Sequence, residues 1–130
     1  MTIHLEFYGE LPTLNQYIHK SNQSRWAAAT LKRDYTEECS LVFQAQARGR
    51  KISKHCTVVV KIYGNRRTDD DNEFHKLKYI MDGLVEAGII PDDSKRYVHI
   101  LPECLLSERK QGRKRVEYVT IDLIEDEGGA

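Results

Sequence analysis

Asp69, Asp70 and Asp71 stand side by side, followed by Asn72 and Glu73. Three adjacent carboxylates repel one another, so solvent, a helix N-terminus or a cation must compensate them. A helix N-terminus offers orphan N–H groups and a partial positive charge, and Asp70 with Glu73 has capping-box spacing. A second acidic pair, Asp92-Asp93, follows Pro91, where Pro-Asp-Asp-Ser reads as turn chemistry. If the loop after the intervening helix folds back along a sheet, Asp93 comes near Asp69 and Asp71. Oxygen-only ligands on short side chains suit Mg²⁺ or Mn²⁺, with water and a substrate phosphate completing the shell. A calcium loop of the EF-hand type is excluded. Counted from Asp69, Phe74 stands where Gly is required and Ile80 where Glu is required.

Between the two acidic groups the spacing predicts a helix from about Asn72 to Ala87, closed by Gly88. Phe74, Leu77, Ile80, Met81, Leu84 and Val85 form its apolar stripe, and Asp71, His75, Lys78 and Asp82 a polar stripe beside it. On the helical wheel Lys78 lies about 20° from Asp71 and Lys76 about 140° away. Lys78 at the stripe border is either half of a surface pair with Asp82 or an ammonium directed toward the carboxylates. The second use suits a phosphate whose charge rises during reaction. Lys76 is expected in solvent.

The elements that must position these groups follow from periodicity. Thr2–Tyr8 alternates as a half-buried strand, and 9–23 reads as loop. A helix is predicted from Ser24 as N-cap to Ala47, ended by Gly49. Its face would carry Leu31, Tyr35, Glu38 and Val42. Thr57–Tyr63 is β-branched and apolar, a strand covered on both faces. Tyr97–Leu106 and Arg115–Ile124 read as two strands joined around Gly112. The order strand, helix, strand, helix, strand, strand predicts one α+β domain over residues 1–130. A mixed β-sheet would be packed by two main helices.

Composition fits that domain. The 130 residues are 40% hydrophobic and 31% charged, which excludes a disordered chain. No apolar run reaches the ~18 residues of a membrane span. The start MTIHLEFYGE does not resemble a secretory signal, and Cys39, Cys56 and Cys104 give neither a disulfide framework nor a zinc pattern. A reducing, cytoplasmic setting is expected. Twenty basic and twenty acidic residues cancel, but unevenly. Seven basic residues and no acid lie between Arg48 and Arg67, and five basic residues and no acid between Arg109 and Arg115. Such stretches are either solvated surface or phosphate contacts.

The run Arg66-Arg67-Thr68-Asp69-Asp70-Asp71-Asn72, then Leu77-Lys78, then Met81-Asp82-Gly83-Leu84-Val85-Glu86-Ala87-Gly88-Ile89-Ile90-Pro91-Asp92-Asp93 resembles the RusA family of Holliday-junction resolvases. The family pattern is Asp-x-Asp-Asn, a helical Lys, Asp-x-Leu, Ala-Gly and a late Asp-Asp. The match spans 28 residues. The first half of the chain matches loosely, through Leu11-Pro12 and Asn15.

The resemblance implies a RusA-like fold and a homodimer that resolves four-way DNA junctions by paired symmetric nicks, in recombination and repair, with Mg²⁺ or Mn²⁺. Asp69, Asp71 and Asp93 would match its metal-binding carboxylates. Lys78, four before Asp82, would match its lysine. In the best-known form the lysine follows the second Asp by four, a position held here by His75. The segment from Asp71 to Asp82 is three residues longer, and Lys76 is the rival. Metal ions would polarise the phosphate and activate water, and Lys78 would stabilise the developing charge. Arg66, Arg67, Lys110, Arg113, Lys114 and Arg115 would hold duplex arms through phosphates. A nuclease of other branched DNA would share the whole site. A junction-binding dimer without catalysis would keep the basic stretches and bind no Mg²⁺.

Overall fold

The computed structural model describes residues 1–65 and 69–126. In chain order the elements are β1 (Thr2–Tyr8), α1 (Leu14–Gln23), α2 (Arg25–Ala47), β2 (Cys56–Gly64), α3 (Asp70–Phe74), α4 (Leu77–Glu86), β3 (Val98–Leu106), β4 (Lys110–Gln111), β5 (Lys114–Arg115) and β6 (Tyr118–Glu125). The main sheet runs β1-β6-β2-β3. β6 is antiparallel to both β1 and β2, and β2 is parallel to β3. This is the mixed sheet of an α+β domain. Parallel neighbours need a crossover, and α3 with α4 supplies it.

Strict alternation builds the core. Ile3, Leu5 and Phe7 of β1 oppose Leu123, Ile121 and Val119 of β6, which oppose Val58, Val60 and Ile62 of β2. All nine are at most 2% exposed. Phe43, Cys39, Ile80 and Leu84 from the helices belong to the same cluster. The expectation that β2 is covered on both faces is corrected. Thr57, Val59, Lys61 and Tyr63 are half-buried, because this face is shared with the polar side chains of its neighbours. There Tyr63 stacks on Tyr118 at 4.3 Å and Tyr118 on Tyr8 at 5.4 Å. The Arg109 guanidinium lies 4.5 Å over the Tyr118 ring.

Residues 9–23, expected as loop, contain α1. Thr13 Oγ1 accepts from the Gln16 N–H at 3.3 Å, and Gln16 Oε1 accepts from the Thr13 N–H at 2.8 Å. This is a capping box. No residue of α1 is buried, and its short apolar set of Leu14, Tyr17 and Ile18 is diluted by Asn, Gln, Ser and Lys. α2 starts as expected, with Ser24 Oγ accepting from the Ala27 N–H at 2.9 Å. It ends at Ala47 as expected, where Arg48 takes the left-handed conformation at φ 52° and Gly49 follows at φ 80°. Its inner face is rotated from the expected one. Ala28, Cys39, Phe43 and Ala47 are buried, and Glu38 is exposed. Small residues take that face because α4 crosses there closely. A Cβ on Gly83 would lie 2.7 Å from the Cys39 Cβ.

The single helix expected from Asn72 to Ala87 is two helices. α3 ends at Phe74, α4 begins at Leu77, and three-residue hydrogen bonds tighten the junction: Lys76 N–H to Glu73 C=O, and Lys78 N–H to His75 C=O. A constant 100° per residue does not carry across this break. The helix end is as expected. Gly88 sits at φ 76°, and its N–H donates to the Val85 carbonyl.

β3 and β6 do not pair, because β2 lies between them. The turn at Gly112 instead closes the small β4–β5 hairpin. The outer strands carry two distinctive features. β3 contains Pro102, a residue tolerated in a strand chiefly at a sheet edge. On β1, the Gln46 side chain accepts from the Glu6 N–H at 2.8 Å and donates to the Glu6 carbonyl at 2.7 Å. Among the described residues no helix is long and apolar enough to cross a membrane. Cys39, Cys56 and Cys104 are free thiols.

Candidate functional site

The break between α3 and α4 turns the Lys76 side chain inward. Lys76 is 2% exposed. Its Nζ lies 2.6 Å from Glu73 Oε2 and 3.3 Å from Glu117 Oε1. Asn65 Nδ2 donates to the other Glu117 oxygen at 3.3 Å. The expectation of a solvated Lys76 is therefore overturned. An uncompensated buried ammonium would be costly, and the helix break lets two carboxylates meet it. Burial holds the Glu117 carboxyl above its ordinary range, and the Lys76 charge acts against that rise. Burial, with the negative charges of Asp70 and Glu73, pushes the neighbouring Cys104 thiol up to about 11.

The acidic turn rests on this cluster without being used by it. Asp69 is the N-cap of α3, and its backbone carbonyl accepts from the N–H groups of Asn72 and Glu73. Its side chain makes no capping hydrogen bond. The capping box expected from Asp70 and Glu73 is thus absent, since Asp70 already lies inside the helix and Glu73 turns toward Lys76. Asp69, Asp70 and Asp71 are exposed. Asn72 Oδ1 accepts from the Asn15 N–H at 2.8 Å and ties the turn to the start of α1.

Asp93 is placed elsewhere. The Tyr97 and Val98 N–H groups donate to the Ser94 carbonyl, and the Cys56 N–H to the Tyr97 carbonyl. The segment carrying Asp93 therefore meets the first residue of β2. α3 lies at the other end, with Asp70 near Cys104, which pairs with Ile62. Six residue steps separate the Cys56–Val98 and Ile62–Cys104 rungs, about 20 Å at ~3.3 Å per step. The loop does not bring Asp93 to Asp69 and Asp71 within this chain, because α3 and α4 carry the chain back along β2.

These positions bear on the divalent ion that the resemblance implies. Among the described residues no group of three or more His, Cys, Asp or Glu side chains is placed to hold a metal ion. The donor chemistry of the turn nevertheless fits Mg²⁺. Asp69 and Asp71 are short, exposed oxygen donors, and the Asp69 carboxylate is not spent on capping. Mg²⁺ is often held by one or two carboxylates, with water and substrate phosphate as its remaining ligands.

Lys78 is exposed and does not pair with Asp82, which instead lies 3.6 Å from Lys32 of α2. Lys78 lines a small cavity with Tyr17, Lys32, His75 and Tyr79. His75 Nε2 is 2.8 Å from the Tyr79 hydroxyl, and the imidazole lies 4.9 Å from the Tyr17 ring. Burial, then the charges of Lys78 and Lys32, hold the His75 pKa below its ordinary value. Burial pushes the Tyr79 phenol up to about 12.

Of the basic residues expected to contact DNA, Arg66 and Arg67 lie outside the described residues. Lys110, Arg113 and Lys114 are exposed on the β4–β5 hairpin. Arg115 points back into the fold, donating to the Ser107 carbonyl and lying 3.6 Å from Glu108. Sequence reasoning missed Glu117, Lys32 and Tyr17, which come from distant segments. The Glu73–Lys76 spacing of three was a legible ion-pair signal, outweighed by the assumption of an unbroken helix.

No protein-family model matches the chain, and no curated protein is significantly similar to it.

Proposed function

We propose that this chain is a metal-dependent, structure-selective endodeoxyribonuclease of the RusA type, cutting four-way DNA junctions by paired symmetric nicks in recombination and repair. One observation carries the reading. Asp69 and Asp71 stand exposed at a helix start while Glu73, Lys76 and Glu117 do the structural work of anchoring it. Among the described residues the Asp69 side chain makes no capping hydrogen bond and neither Asp69 nor Asp71 pairs with a cation, which leaves both oxygen donors open to a ligand. Asp69 and Asp71 would hold Mg²⁺ or Mn²⁺, whose chemistry is to polarise a phosphate and lower the pKa of water. Lys78 on the next helix offers an ammonium to the charge that develops on the phosphate. Lys110, Arg113 and Lys114 would hold a duplex arm through its backbone. In a homodimer, a second copy is the source that the separation of Asp93 leaves for a third carboxylate. A four-way junction has near-two-fold symmetry, which a C₂ pair of sites matches.

The separation of Asp93 also favours a second reading, a junction-binding dimer without catalysis. One experiment tests both. A fixed four-way junction and a linear duplex are incubated with the protein, with Mg²⁺ and with chelator. Metal-dependent cutting of the junction alone supports the resolvase. Binding without cutting supports the second reading. Equal cutting of other branched DNA makes the protein a broader branch nuclease. Light scattering should give a mass near twice 15.1 kDa. Neutralising Lys110, Arg113 and Lys114 together should flatten the salt dependence of binding, since fewer counterions are released.

A further inference from the structure

The Lys78 cavity is built from three separate parts of the fold: Tyr17 on α1, Lys32 on α2, and His75, Lys78 and Tyr79 at the α3–α4 junction. Its volume is about 50 Å³. One water needs about 10–15 Å³ of such space, so the room is that of a few heavy atoms, the scale of a tetrahedral oxyanion. Lys32 and Lys78 line it and no carboxylate does, although Asp82, outside the lining, lies 3.6 Å from Lys32. The Tyr17 hydroxyl adds a donor, and the Tyr79 hydroxyl and the His75 imidazole, already bonded to each other, orient one another at the wall. A larger groove adjoins the cavity and shares Tyr17 and Lys32 with it. Ser21, Arg25, Trp26, Ala28 and Ala29 complete the groove. Trp26, the chain's one tryptophan, is 81% exposed, so the face of its ring is open to a stacking partner.

We propose that this cavity takes one backbone phosphate of a single nucleic-acid strand, with the adjoining base laid on Trp26. A cationic recess beside an exposed aromatic ring is the pairing that single strands use: charge for the backbone and stacking for a base of any identity. A neutral peptide would cover the ring and bring no counterion for the lysines, and an acidic peptide would bring carboxylates but no planar base to stack on the ring. The inference deepens the nuclease reading only in naming the strand. The anion chemistry of the cavity stands without it.

The test uses the full chain in chelator, so that no metal-dependent step contributes. Three probes are titrated: inorganic phosphate, the dinucleotide thymidylyl-thymidine without terminal phosphate, and an acidic hexapeptide. Ring resonances of His75 report the cavity and the fluorescence of Trp26 reports the groove. The dinucleotide should move both signals saturably. Lys32→Gln should weaken it at least fivefold. Trp26→Ala, followed by the His75 signals, should weaken it about tenfold and leave inorganic phosphate unchanged. Both substituted side chains are solvent-exposed, and circular dichroism checks their folds. Asp82→Asn frees Lys32 and should tighten phosphate binding, which a mere surface pair would not do. Binding of inorganic phosphate alone makes this a free-anion site and overturns the strand assignment. Equal binding of the acidic peptide, an unchanged affinity in Lys32→Gln, or no saturable shift overturns it too. A protein that binds the dinucleotide but cuts no junction keeps this inference and loses the nuclease. One that cuts junctions but fails here does the reverse.

Discussion

The Lys76 ammonium lies 2.6 Å from the Glu73 carboxylate, and both residues are buried at the foot of the acidic turn. Removing the cation would leave Glu73 and Glu117 facing each other in low dielectric. Lys76→Ala should therefore lower unfolding stability by about 3–5 kcal/mol, the scale for breaking a buried pair on one side. Urea unfolding followed by circular dichroism measures it. A loss under 1 kcal/mol would show that Lys76 escapes to solvent.

Lys78→Ala should behave in the opposite way. Lys78 is exposed, so the variant should fold normally. Junction cleavage should fall at least ~100-fold, the scale of losing one preorganised charge stabiliser. Comparing single-turnover rates with unfolding curves for the two lysine variants separates chemistry from scaffolding. Unchanged cleavage in Lys78→Ala would remove it from the mechanism.

Asp69→Asn and Asp71→Asn should each abolish metal-dependent cleavage while junction binding persists or improves, because repulsion toward phosphate is reduced. Neither should change folding stability by more than about 0.5 kcal/mol, since the Asp69 side chain makes no cap and both residues are exposed. Wild-type cleavage in either variant would contradict the metal-site reading.

Gly83→Ala places a methyl group 2.7 Å from the Cys39 Cβ and 3.2 Å from the Ser40 backbone nitrogen. Alanine favours the helix by up to ~1 kcal/mol, but overpacking costs about 1–3 kcal/mol. With backbone on one side of the clash, a net loss is expected. A rise in melting temperature would mean that α2 and α4 can separate at little cost.

His75 predicts a pH effect of definite sign. Its folded pKa is lowered by burial, then by Lys78 and Lys32, and Tyr17 and Tyr79 complete its surroundings. The unfolded chain binds more protons below the ordinary value of 6.5, so this group lowers stability as pH falls through that value. His4 opposes it. Hydrogen bonds to Asp122 and then Glu6 raise the His4 pKa. Its contribution is present below 6.5 and lost as pH rises through the folded pKa, although its exposure keeps it small. His75→Gln should flatten the acid side of the stability profile measured between pH 7 and 5. An unchanged slope would place the imidazole in water.

β1, the start of α2 and the close of α4 were legible because each rests on local chemistry: alternation at Ile3, Leu5 and Phe7, the Ser24 cap, and Gly88 after the last turn. α1 carried a legible Thr13–Gln16 box and the helical spacing of Leu14, Tyr17 and Ile18, yet its polar composition reads as loop and none of its residues is buried. The lysines could not be sorted from a wheel. Glu73 is a local partner of Lys76, but its other partner, Glu117, lies forty-one positions along the chain, and no local spacing encodes that contact. The place of Asp93 was misjudged for a related reason. Parallel pairing of β2 with β3 fixes where the chain must emerge, and pairing partners are not written in either strand alone.

Both outer strands of the sheet are closed to further growth by different means. On β3, Pro102 breaks the row of donors that an incoming strand would need. On β1, Gln46 occupies both backbone groups of Glu6 that would face a newcomer. The sheet is thereby blunted against templated aggregation at each margin. Gln46→Ala would reopen one margin, and turbidity at high protein concentration should rise in that variant first.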